Sequence, residues 1–317
     1  MTYESYDLAP GLEELVAVAR CQHVTRAAEQ LGIAQPTLSR NLARLSSRLG
    51  TPLLRREGRG VRLTRHGRLL ADYAERALEE LLAGVRAVRA EADPDTGTVS
   101  LGFLHSMGPS TVPALLRGFR LDHPGITVEL FQGGAEELIH AVMSGRVDLS
   151  VTSIRPGEDR PVSRDELTEQ PIVLLAPGDH RLAGRPELAL GEAIREPLIT
   201  MAPGYGLRTL TDSLLVTAGV TARYLYECQE LSTAIGLVAA GLGVALVPAG
   251  SGVPGTVELS VTEPRVTRTI ALVRPNDRPL SAPADRLRRH IAEHAPDLLR
   301  RTARTASEGS SGPAAPR

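Results

Sequence analysis

Leu38, Leu42, Leu45 and Leu49 recur at steps of four, three and four, and Arg40, Arg44 and Arg48 fall between them. That spacing places the leucines on one stripe of a helix over about 35–49 and the arginines on another. Such a helix buries one side and offers a cationic side to something outside its own core. Pro36 suits its first turn, where a missing N–H costs nothing. The turn Gly32-Ile33-Ala34 separates it from a shorter helix over 26–31, for which Thr25 is the expected N-cap. Leu12, Leu15, Val16 and Ala19 predict a first amphipathic helix before both. After the pair, residues 53–56 and 61–64 are short extended runs around Glu57-Gly58-Arg59-Gly60, the pattern of a hairpin or wing.

Charge follows the same division. Between Val24 and Arg68 there are ten arginines against Glu29 and Glu57, a balance of +8 in a chain whose net charge is −1. A small basic module is therefore joined to a larger acidic one. The basic segment has no Trp, Phe or Tyr on which single-stranded bases would stack, so duplex DNA suits it better. A helix, a tight turn and a second helix with a basic outer face is the arrangement that enters a major groove. Gln35, Thr37 and Arg40, near the start of that helix, are placed to reach base edges, and Arg44 and Arg48 to meet phosphate or solvent.

The remaining 250 or so residues, at roughly 150 per domain, leave room for a second globular unit. From Arg65 to about Ala90 the pattern is one long helix on which Leu70, Ala74, Ala77, Leu81, Gly84 and Val88 form a seam on an otherwise charged surface. A seam of that kind calls for a partner helix, so a dimer contact is expected there. Beyond the turn-rich stretch Asp93–Gly97, short apolar runs at 99–103, 126–131 and 147–152 alternate with helical patterns at 113–120 and 136–144. A second set follows, with strands at 172–176, 198–200, 224–227 and 244–247 and a helix at 232–240, and then a last strand at 269–273 and a helix at about 284–293. The expectation is an α/β fold with a parallel sheet and crossover helices, closed by a disordered tail over 301–317.

Several function classes are excluded. Two cysteines cannot build a disulfide scaffold or a Cys-rich zinc module, and Cys21 and Cys228 fall in different expected domains. Glu4, Asp7, Glu13 and Glu14 stand where a signal peptide needs a basic end and an apolar run. The longest apolar stretch, from Ile235 to Gly250, is broken by Gly236, Gly241, Gly243 and Pro248 and is too short to cross about 30 Å of hydrocarbon. The expectation is a soluble, cytoplasmic protein. His290 and His294 are spaced for a shared metal but have no third ligand, and Gly241-Leu242-Gly243 lacks the rest of a dinucleotide fingerprint. With no GxSxG or HExxH motif either, neither a metal, a cofactor nor an enzyme is expected. A solute-binding protein and an α/β enzyme are the rival classes; the +8 segment argues against the first and the missing catalytic set against the second.

Over residues 18–67 the chain resembles the LysR-type transcriptional regulators, through Ala27-Ala28, Leu31, Gln35-Pro36, Ser39, Leu45, Leu49-Gly50, Leu53, Arg56, Leu63-Thr64 and Gly67 at their spacings. The likeness continues through VPALLRGFRLDHPGITVEL, GRVDLSV and LVAAGLGVALVP. It implies a winged helix-turn-helix over 7–64, a linker and dimerisation helix over 65–92, and a two-lobed α/β effector domain over 97–300, resembling periplasmic binding proteins. It also implies a homodimer or homotetramer on double-stranded promoter DNA, with RNA polymerase as a further partner and a small-molecule effector between the lobes. By carry-over, Thr25, Gln35, Pro36, Thr37, Ser39, Arg40 and Arg44 lie at the DNA, with Arg56, Arg59 and Arg62 on the wing. Three positions depart from the family pattern: Ala34 where Ser is usual, Ser46 where Glu is usual, and Leu54 where Phe is usual.

In an open α/β lobe, ligands sit beyond the carboxyl ends of strands and near helix N-termini. The expected effector residues are therefore His105, Ser106 and Met107 after one strand, Gln132 after the next, Thr152 and Ser153 after a third, and Pro203, Tyr205 and Arg208 in the second set. His105 beside Ser106 is the favoured pair. These residues suit a small metabolite, a carboxylate being one candidate.

Overall fold

A computed structural model describes residues 11–309 except 58–59, 93–94, 155–159, 186, 194, 218, 220, 222 and 263–265. The chain divides into two compact units, residues 1–85 with 144–146, and residues 86–143 with 147–317.

The first unit opens with three helices: α1 (Leu12–Cys21), α2 (Val24–Gln30) and α3 (Gln35–Arg48). Its core is Leu15, Val18, Ala27, Ala28, Leu38, Leu42, Leu45 and Leu53, all buried as the apolar spacing requires. Each fully buried leucine contributes about 1.5–3 kcal/mol. The hairpin of β1 (Leu54–Glu57) and β2 (Gly60–Leu63) follows, antiparallel, with Arg55 opposite Arg62. Ser46, the departure from Glu, has a packing role: its hydroxyl donates to the Leu42 carbonyl and accepts from the Leu53 amide, tying α3 to the start of the hairpin.

The long helix α4 (Arg65–Ala92) begins at Thr64, whose hydroxyl accepts the Gly67 amide and donates to the Pro52 carbonyl. Gly67 must be glycine, since a Cβ there would stand 2.1 Å from the Leu53 carbonyl oxygen. The expected seam divides along its length. Leu70, Ala71 and Ala74 pack into or beside the helical core, whereas Leu81 is 65% and Val88 69% exposed, with Leu69, Tyr73 and Leu82 exposed as well.

The second unit contains β3 (Gly97–Leu104), α5 (Thr111–Asp122), β4 (Ile126–Gly133), α6 (Ala135–Met143), β5 (Leu149–Ile154) and β6 (Val162–Pro177). It continues through β7 (Glu187–Ala189), α7 (Leu190–Ala193), β8 (Leu198–Met201), α8 (Gly206–Thr217), β9 (Tyr224–Cys228) and α9 (Leu231–Ala239). It ends with β10 (Val244–Pro248), β11 (Thr256–Thr262), β12 (Thr267–Pro275) and α10 (Ala282–Gly309). The strands run in the order β4-β3-β5-β12-β6-β10-β8-β9, with β11 on β6 and β7 on β11. The sheet is mixed, which corrects the expectation of an all-parallel one. β3 is parallel to β4 and β5, and β8 to β9 and β10, but β12 runs against β5 and β6, and β6 runs against β10 and β11.

Two lobes result, and β6 passes from one to the other, while β12 begins where the chain returns to the first lobe. The first half of β6 pairs with β12 and the second half with β10 and β11, so one strand belongs to both lobes. The apolar cores segregate accordingly. One contains Val99, Leu101, Phe119, Leu138, Leu149, Ile270 and Leu287, a smaller one in the same lobe contains Val142, Val147 and Val273, and two others lie wholly between Ile172 and Val266.

The expectation of disorder from residue 301 is corrected over its first part, because α10 continues to Gly309; residues 310–317 lie outside the described residues. Ala284, Leu287, Ile291, Ala295 and Leu299 form one buried seam that carries the helix through Pro296. The Arg- and Ala-rich run beyond it has high helix propensity.

Candidate functional site

The basic surface of the first unit is built from α3 outward. Gly32, at φ +65°, makes the left-handed turn between α2 and α3 that other residues adopt only with strain. Ala34 occupies the N-cap of α3 with extended backbone and no side-chain cap, a loss of about 1 kcal/mol against Ser. With Leu38, Leu42 and Leu45 held inside, Gln35, Pro36, Arg40, Arg44 and Arg48 are exposed and Thr37 and Ser39 half-buried.

Neutral groups steer this row. Gln35 Nε2 donates to Ser39 Oγ at 2.8 Å, Arg40 Nη2 to Thr37 Oγ1 at 3.4 Å, and Arg44 Nη2 to Asn41 Oδ1 at 3.3 Å. Asn41 itself is held by Glu14. Among the described residues neither Arg40 nor Arg44 is paired with a carboxylate, so both positive charges stay available to an anion. Arg62 is exposed on β2, and the side chains of Arg56 and Arg59 lie outside the described residues. Thr25 is an exposed residue in the first turn of α2, and not its cap, because the helix begins two residues earlier than expected, at Val24 with His23 as N-cap.

In the second unit, three cavities share Arg268 in their walls, with volumes of about 50, 260 and 690 Å³. The smallest, central one is lined by His105, Ser106, Ser153 and Tyr205 among others. His105 follows β3 in one lobe and Tyr205 precedes α8 in the other, with ring centroids 6.0 Å apart. Met107 and Gln132 line the largest chamber, and Ser153 also lines the third. The structure thus brings six expected effector residues to one cleft.

Three others do not line it. Thr152 is fully buried within β5, and Pro203 is exposed outside the three cavity walls. Arg208 is directed elsewhere. Its Nε donates to Asp212 at 2.9 Å and its Nη1 to Glu227 at 2.6 Å, while its guanidinium lies 4.4 Å over the Tyr224 ring. Tyr224 also donates to Asp212, and burial and that carboxylate push its hydroxyl up to about 12. Arg208 is a structural cation satisfied by two acids.

The cleft's cation is Arg268, which the sequence reading missed. Its Nη2 donates to Ser106 Oγ at 2.8 Å, and its Nη2 and Nε donate to Gln170 Oε1 at 2.7 and 3.0 Å. Burial alone pushes the guanidinium down to about 10, so it stays protonated at neutral pH.

Residues 11–68 match the family described as bacterial regulatory helix-turn-helix protein, lysR family, and residues 92–296 match the LysR substrate binding domain. The chain belongs to the LysR family of transcriptional regulators. Similar curated proteins include the HTH-type transcriptional regulator YybE of Bacillus subtilis, 35% identical over 286 residues, or 89% of this chain and 97% of YybE. Another is a probable hydrogen peroxide-inducible genes activator of Mycobacterium leprae, 32% identical over 239 residues, covering 75% of this chain and 76% of its own. Among solved structures, full-length CbnR in complex with its target DNA shares the fold at a TM-score of 0.66 and 21% identity, over 93% of this chain and 99% of that one.

As a LysR regulator the protein is DNA-binding and carries an effector-binding domain, and its family is one of regulators and not of enzymes. Its cysteines sit apart. Cys21, on α1, donates to Gln30, and Cys228 is 6% exposed at the end of β9, where burial pushes its thiol up. Neither lines the cleft. Among the described residues no helix is long and apolar enough to cross a membrane.

Proposed function

We propose that this LysR regulator reads promoter DNA with the exposed row of α3 and takes its small-molecule effector in the cleft around Arg268. The observation that carries the DNA half is the division of α3, with Leu38, Leu42 and Leu45 inside and Gln35, Arg40 and Arg44 outside with no acidic partner among the described residues. Gln35, Thr37 and Arg40, at the start of the helix, reach base edges. Ser39 orients Gln35, and Pro36 fixes the first turn. Arg44 and the wing arginines Arg56, Arg59 and Arg62 neutralise phosphate, and Thr25 adds a contact from α2.

The effector half rests on His105, Ser106, Met107, Gln132, Ser153 and Tyr205 lining one cleft between lobes joined through β6 and the start of β12. A ligand that binds one lobe angle better than another shifts the population of that angle, and only such a ligand can act as a switch. The exposed apolar residues Leu81, Leu82 and Val88 of α4 support a homo-oligomer paired through that helix. We place the DNA-binding part at 7–64, the pairing helix at 65–92 and the effector part at 97–300. The protein acts in the cytoplasm, where promoter and RNA polymerase are.

Gel-shift titration of the full chain against the DNA upstream of its own gene and of the adjacent gene tests this reading. A discrete complex that resists competitor DNA supports it, and binding no tighter than to random duplex overturns it.

A further inference from the structure

Arg268 is a half-buried cation without a counter-charge among the described residues. It stands at the start of β12, where that strand lies beside the middle of the lobe-crossing strand β6, with Gln170 as its direct cross-strand partner. All its hydrogen bonds go to neutral oxygens, two to Gln170 Oε1 and one to Ser106 Oγ, and among the described residues no carboxylate pairs with it. Gln170 is itself buried, and its Nε2 donates to the Ala249 carbonyl, which turns the amide oxygen toward the arginine. The guanidinium is thus held in place by Nε and Nη2, and the two N–H groups of Nη1 are left without a protein acceptor among the described residues.

A desolvated charge is costly unless something opposite in sign completes it. The surroundings offer no substitute. Arg268 is the one arginine lining the central chamber, and no carboxylate lines it. Two helices of nine and twelve residues, α6 after Gly133-Gly134 and α8 from Gly206, begin in the same wall, with their amide ends adding to the positive potential there. Of the acids of the neighbouring chambers, Glu136 pairs with Arg160 and Glu169 accepts from Thr267, and Glu230 at the N-cap of α9 lines the largest chamber and not the central one.

We propose that the effector is a small carboxylate whose acid group is taken by Nη1 of Arg268, with its remainder lying in the largest chamber. This rests on the reading of the cleft as the effector site. A single guanidinium with neutral helpers matches a monoanion. A phosphate ester, with about two charges at neutral pH, would need a second cation, and none lines the central chamber. Because Arg268 is paired with Gln170 one residue before β6 leaves for the second lobe, an acid bound at Nη1 acts on the joint between the lobes directly.

The test uses the full-length protein with acetate and benzoate as probes, acetamide and benzamide as their neutral counterparts, and chloride to match ionic strength. Ligand binding is read by thermal shift and calorimetry, and retained DNA binding shows that each variant is folded. The acids stabilise the wild type and the amides do not. Arg268→Gln weakens acid binding about 10- to 100-fold, the scale of one charge-assisted hydrogen-bond pair, and Arg268→Lys keeps a weaker preference for acids. Amides binding as well as acids, acids binding Arg268→Gln as they bind wild type, or no response to any acid would overturn the proposal. Ser153→Trp, which fills the central chamber from the opposite wall, separates the two claims. If it blocks acids and amides alike while Arg268→Gln changes neither, the cleft stands and the charge assignment falls. If acids still bind Ser153→Trp, the cleft reading itself is wrong.

Discussion

Arg268 Nη2 and Ser106 Oγ meet at 2.8 Å, and the contact joins the start of β12, where the chain returns from the second lobe, to the turn after β3, 162 residues away in sequence. Ser106 thereby positions the one cation of the central chamber without touching its remaining donors. Ser106→Ala is expected to leave the fold intact, to lower stability by about 1–2 kcal/mol for the lost bond to a charged group, and to loosen ligand binding. Urea titration checks the first two outcomes and calorimetry the third.

On α3, Arg40→Ala should cost about 1–3 kcal/mol on the cognate site and less on random duplex, since a base-edge contact discriminates. Arg44→Ala should weaken both about equally and reduce the slope of log affinity against log salt by about 0.9, the signature of one phosphate contact. Equal losses on both DNAs for Arg40→Ala would remove it from base readout.

Gly67→Ala sets a Cβ 2.1 Å from the Leu53 carbonyl oxygen, in the seat where α4 leaves the hairpin. The helix start or the wing must shift, and a loss above about 2 kcal/mol is expected. Thr64→Ala, which removes only the cap on the Gly67 amide, should cost about 1 kcal/mol. Thermal melts of the two variants rank the close approach against the cap.

His290 is 8% exposed, and its Nε2–H donates to the Leu115 carbonyl beside the Phe119 ring. Burial, and then the charge of His294 stacked on it, hold this imidazole below its ordinary value of 6.5. The unfolded chain therefore takes up a proton that the folded chain resists. The stabilisation is complete above about pH 6.5 and is lost as pH falls from there toward the depressed folded value. Urea midpoints should drop over that window, and His290→Gln should flatten the drop.

Hydrogen peroxide is expected to leave DNA binding unchanged. A reactive thiol is exposed and held as thiolate by nearby positive charge, and Cys228 is buried with its thiol pushed up. Cys228→Ser should respond to effector as wild type does, and a peroxide-dependent gel shift lost in that variant would contradict this.

The sequence made some elements legible and hid others for physical reasons. α3 and the hairpin announce themselves because their apolar spacing is local and strict, and Leu38, Leu42 and Leu45 are buried where periodicity puts them. The first half of β6 is hidden by Arg164, Asp165, Glu166 and Glu169, since only Leu167 and Gln170 of that stretch are buried. α8 is hidden by its glycine start and by Thr209, Thr211 and Thr217, which are weak helix formers. Arg208 was assigned to the effector site, although Asp212 stands four residues on, the spacing of a helical ion pair. Arg268 was not, since Gln170 and Ser106 reach it from 98 and 162 residues away.

Pro171 and Thr267 are partners across β6 and β12, so the chain departs for the second lobe and returns from it at adjacent points. Every buried residue of the cores between Ile172 and Val266 belongs to that excursion, and none of the first lobe's apolar centre does. The second lobe is thus a cassette set into a finished domain. A two-residue turn of the Asn-Gly type, joining the neighbouring ends, would excise it and leave the five remaining strands bonded as they stand.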